Sequence, residues 1–382
     1  MFKNPLHFGR DRSGRYSATV LILLFLYSGV GCMGYEIDIA EYDPARAYNG
    51  HTYFSVRSIH LILAVDMEGN EVWNPVDTNV IDVGNAHGFR FVEEESLVVY
   101  VNASRPMAMR TEDYEVVFEG PSDRAHHSIV MTPDRTLMYL SMERVDDVPG
   151  EYWLPEGCLV ADAIKEIDMD TEEIVWEWHL IDHLDPTEHH ASEKSFLSEL
   201  HECSEWAHGN TVKFIPNYSY QGMDYDAVLY NSLFLETFWM IDYATGDVLW
   251  SCGQHGTFGR KEAPEEPFFA AAHDVDILTN DTFIMYDNGN YRAVPQSRAL
   301  KMSVDPPAGE AEEIWSWRYP YMYDWWGGDA DELPNGNVLI ANTTAGRIIE
   351  VTPGGEIVWD MRIHAYGLAT PHTVYQLQRV SY

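Results

Sequence analysis

The sequence predicts an all-β protein: a six-bladed β-propeller with four-stranded antiparallel blades, placed after an N-terminal signal segment. Three observations predict it. A hairpin phrase ending in Trp recurs along the chain, a second phrase headed by His or an acid alternates with it, and aromatic residues reach 13 %, with 12 Trp and 23 Tyr. Aromatic side chains suit the pleated, half-buried surface of a sheet. With 46 % hydrophobic and 22 % charged residues in 382, the chain has the composition of a packed core rather than of disorder.

The first phrase is an apolar strand ending in Asp, a turn with Gly or Thr, an acid, apolar residues and Trp. Its clearest copy is Trp239–Trp250; others are Leu63–Trp73, Ile167–Trp176 and Ile349–Trp359, with looser ones at Met109–Phe118 and Met302–Trp315. Each reads as a β-hairpin. The second phrase is also a hairpin, with a Pro/Asn/Gly turn, and starts at His127, His273 and Asp329, and more loosely at His208. Two hairpins per period make one blade, and roughly six copies make about six blades spaced roughly 45 to 75 residues apart. The insertion around Asp182–Glu205, with a short helix expected at Ser192–Leu200, absorbs the irregularity. A β-sandwich with chance Trp spacing would not alternate two phrases in step.

Residues 1–31 read as an export signal. Lys3, Arg10, Arg12 and Arg15 precede an apolar run, Ala18–Val30, that is short for a bilayer span. Gly31-Cys32 looks like a lipoprotein cleavage site, which makes a lipid anchor at Cys32 one expectation. Ordinary signal cleavage is the other, because Gly29 stands where Leu is usual. An N-terminal extension at 32–50 and the propeller at 51–382 follow, and the protein is expected to be exported, periplasmic or at the cell surface. Of the remaining cysteines, Cys158 and Cys203 are a candidate bridge for an oxidising compartment. No Cys-x-x-Cys pair occurs, so a cysteine-based zinc site is not expected.

Asp and Glu number 61 against 24 Lys and Arg, a net charge of -37. Such a surface repels nucleic acid and anionic lipid head groups, so nucleic acid is not an expected partner. Anionic substrates need local positive charge at the site.

The inner strand of each blade starts at one face of the channel, so residues heading the second phrase gather there. These are His87, His127, His208, His273 and Asp329, with His372 able to close the ring. His87 and His372 read better as surface or satisfied core residues. His189, His190 and His201 read as solvated loop residues, Asp168–Glu173 as a hairpin turn rather than a calcium loop, and Glu262–Pro267 as a surface loop. No metal and no cofactor is expected.

The chain resembles the arylsulfotransferase family of six-bladed propellers over nearly all its expected mature length. The resemblance rests on Tyr42–Gly50, Ala125-His-His127, Trp176–Asp185, Glu205-Trp-Ala-His-Gly-Asn210, Ala272-His-Asp274, Met285-Tyr-Asp-Asn-Gly289 with Ser297-Arg298, Gly328–Asn337 and Val374–Val380, in order and spacing. It implies transfer of a sulfuryl group from a phenolic sulfate ester to a phenol without a nucleotide donor. It implies a sulfo-histidine on His273, with His208 and His127 (or its neighbour His126) as the other site histidines, contacting the sulfuryl oxygens and exchanging protons with the phenol. His126, Asn210 and Asp329 are expected at the substrate.

The chain departs from the family at Leu233, which stands where the resemblance implies an Arg that steadies the sulfuryl anion; Arg124, Arg292, Arg298 and Arg347 are the candidates for replacing it. Ala271 or Ala272 stands where a Gln is common. Two other readings stay open. One is a non-catalytic exported propeller that binds a ligand or protein. The other is a quinone-cofactor dehydrogenase, which needs a set of channel cations that the sequence does not show.

Overall fold

The computed structural model describes residues 34–75, 88–146, 158–186, 188, 203–258, 268–290, 292–366 and 371–382. The signal segment with Cys32, His87, the cluster of His189, His190 and His201, the helix expected at 192–200 and the loop 262–267 lie outside the described residues.

The chain opens with β1 (Tyr35–Tyr42), followed by β2 (Gly50–Val56), β3 (Leu61–Val65) and β4 (Glu71–Trp73), the core of the first blade. The second blade is β5 (Phe89–Val92), β6 (Leu97–Asn102), β7 (Arg105–Arg110) and β8 (Val116–Glu119). The third is β9 (Ala125–Met131), β10 (Thr136–Asp146), β11 (Cys158–Asp168) and β12 (Ile174–His179), with a short strand β13 (Ser204–Glu205) running parallel to β11. The fourth is β14 (Gly209–Tyr220), β15 (Met223–Ser232), β16 (Thr237–Asp242) and β17 (Val248–Gly253). The fifth is β18 (His273–Thr279), β19 (Thr282–Asp287), β20 (Arg298–Asp305) and β21 (Glu310–Trp317). The sixth is β22 (Asp329–Glu332), β23 (Val338–Asn342), β24 (Arg347–Val351) and β25 (Ile357–Ala365), after which β26 (Val374–Ser381) returns to the first blade.

The inner strands β5, β9, β14, β18, β22 and β26 touch one another in that cyclic order, so the six sheets close into a propeller. Two strands seal the ring. β26 pairs with β2 as the inner strand of the first blade, and β1 pairs with β25 as a fifth, outer strand on the sixth. The segment expected as an extension thus joins the sheet system through β1.

The recurring Trp phrase has a physical role in this closure. The indole N–H of Trp73 donates to Thr111 O in the next blade, Trp176 to Tyr243 O, Trp315 to Pro353 O, and Trp359 closes the circle onto Met67 O. Each indole N–H thereby ties its blade to a turn carbonyl of the next, with Trp73 and Trp359 buried and Trp176 and Trp315 partly so. The Asp that ends the third strand organises the same turns. Asp66 accepts from the backbone N–H groups of Glu68 and Asn70, and Asp168 from those of Asp170 and Thr171. Apolar clusters then fill the wedges between consecutive blades, as where Val99 and Phe118 meet Ile129 and Tyr139.

Candidate active site at the head of the channel

The heads of the inner strands are irregular, and the irregularity aims side chains inward. On β9 the register jumps from Ile129↔Tyr139 to His126↔Leu140, leaving His127 and Ser128 without a cross-strand partner. On β14 Asn210 is the extra residue, and on β18 the pairing skips Asp274 and Val275. His127, His208 and Asp274 adopt φ of 52°, 53° and 41°, the left-handed region that costs a non-glycine residue of the order of 1 kcal/mol or more. Other positive-φ residues of the chain sit mostly in turns, whereas these three stand at the inner-strand heads.

The structure brings His127, His208 and His273 together. The rings of His127 and His208 meet edge to face at 4.6 Å, and the ring of Tyr375, on β26, lies 6.0 Å from His127 and 6.1 Å from His273. Each histidine is oriented from behind. His273 donates Nδ1–H to Asn288 Oδ1 at 2.8 Å, and its Nε2 accepts the Gly327 N–H at 3.1 Å. The direction is fixed because Asn288 spends its amide N–H groups on the carbonyls of Asp324 and Gly327. His273 is thus the Nδ1–H tautomer with its lone pair on Nε2. Burial is the main cause that pushes its pKa down to about 4, only partly offset by Asn288. The ring is neutral throughout the physiological range.

His208 is the opposite case. Burial again disfavours its charge most strongly as a single cause, but the Glu205 carboxylate, bonded to Nδ1 at 2.6 Å, together with Asp162 outweighs it and raises the pKa. Glu205 is positioned by β13, which pairs with β11, and by the disulfide Cys158–Cys203 that ties the two strands together. His127 shares a 2.7 Å Nδ1–Nδ1 hydrogen bond with His126, whose Nε2 lies 3.2 Å from Asp162 Oδ1. Asp162 also accepts from Gly209 N and the Tyr230 hydroxyl. His126 thus stands between His127 and the Asp162 carboxylate. Asn210 reaches Ala272 O at 3.5 Å, and its buried Oδ1 has no hydrogen-bond partner among the described residues.

A second layer lies directly beneath. Asp274 is gripped by Arg90 through two 3.2 Å contacts and approached by Lys213 Nζ at 3.5 Å. Asp329 belongs here. Its Oδ2 accepts Leu377 N–H, and burial beside Asp274 and Asp331 raises its pKa well above the carboxylate range. Burial works against the charge on Asp274, yet Lys213 and Arg90 outweigh it and keep the carboxyl ionised. The carboxylate oxygens of Asp274, Asp329 and Asp331 come within 4.8 Å of one another. The two bound cations and the proton on Asp329 already balance much of that charge.

His372 stands apart from the histidine group: its Nδ1 bonds Ser58 Oγ at 2.9 Å in the connection before β26. The four arginines considered as replacements for the missing cation are engaged elsewhere or exposed. Arg292 and Arg298 both bind Asp287, Arg347 binds Asp360, and Arg124 is exposed. Tyr375, Asn288, Glu205, Asp162 and Arg57 were not singled out from the sequence. Glu205 and Asn288 lie within motif segments and were legible in principle; Arg57 sits in no motif.

A sequence model of the family described as Arylsulfotransferase (ASST) matches residues 51–364. The chain belongs to the arylsulfotransferase family. The match spans all three channel histidines and suggests PAPS-independent arylsulfotransferase-like activity. No curated protein sequence matches the chain. Among solved structures, a protein of unknown function from Bacteroides caccae aligns with a TM-score of 0.51 at 9 % identity, covering 86 % of this chain and 98 % of that one. The periplasmic gluconolactonase of Pseudomonas aeruginosa aligns at 0.48 and 12 % identity, covering 87 % and 99 %. Virginiamycin B lyase of Staphylococcus aureus aligns at 0.40 and 11 % identity, covering 72 % and 69 %. At such identities the likeness is to the fold alone.

Proposed function

We propose that this arylsulfotransferase-family protein moves a sulfuryl group from a phenolic sulfate ester to a phenol through a sulfo-histidine on His273. The observation that carries the reading is the contrast between two buried histidines at one site: His273 held neutral with its lone pair on Nε2, and His208 held toward its charged form by Glu205. That is the pairing a nucleophile and a general acid require.

In the first half-reaction Nε2 forms a bond to sulfur while the S–O(aryl) bond breaks. The electron pair leaves on the phenol oxygen, which takes the proton of His208. The Gly327 N–H, released from Nε2, becomes a donor for a sulfuryl oxygen. Asn288 keeps its bond to Nδ1–H and so stabilises the positive ring of the intermediate. In the second half-reaction the acceptor phenol attacks sulfur, returns its proton to His208 and releases His273. His127, oriented by His126 and Asp162, and Asn210 complete the polar wall around the substrate.

The Cys158–Cys203 bridge fits the proposal that the chain is exported, since such bridges persist outside the reducing cytosol. Mass analysis of the mature N-terminus decides between lipidated Cys32 and simple cleavage.

The test of function is release of 4-nitrophenol from 4-nitrophenyl sulfate by the purified mature chain, with and without phenol. Phenol-stimulated release supports the transferase. No release by folded protein across a panel of acceptors would sink it in favour of a binding propeller.

A further inference from the structure

The family pattern puts an Arg at the position of Leu233, the first residue after β15. The same place in the blade, the first residue after the second strand, is occupied in the fifth blade by Asn288, which holds His273. In the first blade it is occupied by Arg57, directly after β2. The first and fourth blades face each other across a six-bladed ring, so Arg57 stands across the channel from Leu233 and His208.

Its side chain turns toward the site. The guanidinium carbon lies 4.9 Å from the centre of the Trp326 ring and 5.9 Å from that of Tyr375, whose ring in turn adjoins both His127 and His273. Trp326 and Tyr375 stack at 22°, giving the guanidinium an aromatic seat. The charge of Arg57 is felt at His208, where it opposes protonation. The sequence holds 61 acidic residues, yet among the described residues this half-buried guanidinium forms no ion pair. Arg90, Arg298, Arg347 and Arg379, by contrast, are each bound to a carboxylate. A cation that is desolvated, seated on aromatic faces and left without a carboxylate is one that awaits an anion.

We propose that Arg57 is the residue that grips the sulfuryl group of the substrate, doing from the first blade what Leu233 cannot do from the fourth. The inference rests on the sulfotransferase reading for the identity of the anion, but the anion site can be tested without turnover. Its planar fork matches two oxygens of a sulfate ester, and its charge is independent of pH.

The experiment measures binding of benzenesulfonate, which carries the anion but no transferable group, by calorimetry to wild type, Arg57→Gln and Arg57→Lys, alongside steady-state kinetics with 4-nitrophenyl sulfate and phenol. Arg57→Gln should weaken sulfonate binding and raise the KM for the sulfate donor by about 10- to 100-fold. The KM for the phenol acceptor should not move, and Arg57→Lys should recover part of the loss. Unchanged melting of the variants would show that the loss is one of binding. Sulfonate affinity and donor KM left as in wild type by Arg57→Gln would overturn the proposal, as would a wild-type protein that does not bind the sulfonate. Arg57-dependent binding without any sulfuryl transfer would uphold the anion site while removing the transferase reading.

Discussion

His273 and Asp274 are consecutive in the chain, yet they belong to two layers of the channel built on opposite principles. In the upper layer each histidine is bonded on one nitrogen to a group that orients it: Asn288 behind His273, Glu205 behind His208, His126 behind His127. In the lower layer Arg90 and Lys213 pair with Asp274, Lys213 also binds Asp276, and Asp329 Oδ2 accepts Leu377 N–H. Asp274 takes the left-handed conformation, and its carboxylate is held by Arg90 and Lys213. The upper layer is arranged to act on something, and the lower one to hold the inner strands at a fixed spacing. A change in the first should cost chemistry with little stability, and a change in the second the reverse.

The largest effects break that division most directly. His273→Ala should lower phenol-stimulated release of 4-nitrophenol by about 1,000-fold or more while leaving the melting temperature near wild type. Asp274→Ala should strand the Arg90 guanidinium, while Lys213 keeps Asp276, and cost about 3–5 kcal/mol in denaturant unfolding. If the second variant is stable but inactive, the two layers are one functional unit and the division fails.

The sequence made the fold legible because the propeller repeats its physics. The Asp that caps a turn and the Trp that reaches the next blade recur in several copies, as in Asp66 with Trp73 and Asp168 with Trp176. The three channel histidines were legible for the same reason, since each heads an inner strand. What orients them was less so, because the motif segments hold Glu205, Asn288 and Tyr375 without showing their partners. Glu205 depends on a short parallel strand and a disulfide, and Tyr375 on a terminal strand that reaches the first blade only when the ring closes. Arg57 could not be found by position relative to a motif, because its relation to Leu233 is across the ring rather than along the chain. His372, read as a surface or satisfied core residue, lies close in sequence to an inner-strand head, but the connection turns it to Ser58.

A smaller effect sharpens the account of the upper layer. Asn288→Ala removes the shorter of the two acceptors at His273 Nδ1, while Asp324, with its contacts to Asn342 and Thr343, still holds the loop. The Ala271 carbonyl, 3.2 Å from Nδ1, is then the remaining acceptor, and transfer should fall about 10-fold, the cost of one good buried hydrogen bond, at nearly unchanged donor KM. A rise in KM with kcat intact would mean that Asn288 shapes the binding site instead of the nucleophile.

The smallest expected effect lies in the pH profile, and it separates the two histidines. His273 has a lowered pKa, about 4, so it remains a nucleophile until the medium becomes strongly acidic. His208 has a raised pKa, so it carries its proton below that value and loses it as pH rises through it. The donor half-reaction should therefore be flat from mildly acid to near neutral pH and fall on the alkaline side, tending toward tenfold per unit. The fall should be steeper for phenyl sulfate than for 4-nitrophenyl sulfate, whose phenolate leaves without much need of a proton. Stability follows the same signs. The part contributed by charged His208 is full below the unfolded histidine value near 6.5 and is lost as pH rises through the folded one. The part contributed by neutral His273 is lost as pH falls from about 6.5 toward 4. Glu205→Gln should move the alkaline limb of activity to lower pH and leave the acid limb in place. An alkaline limb that stays fixed in this variant would show that His208 is not the group that protonates the leaving phenol.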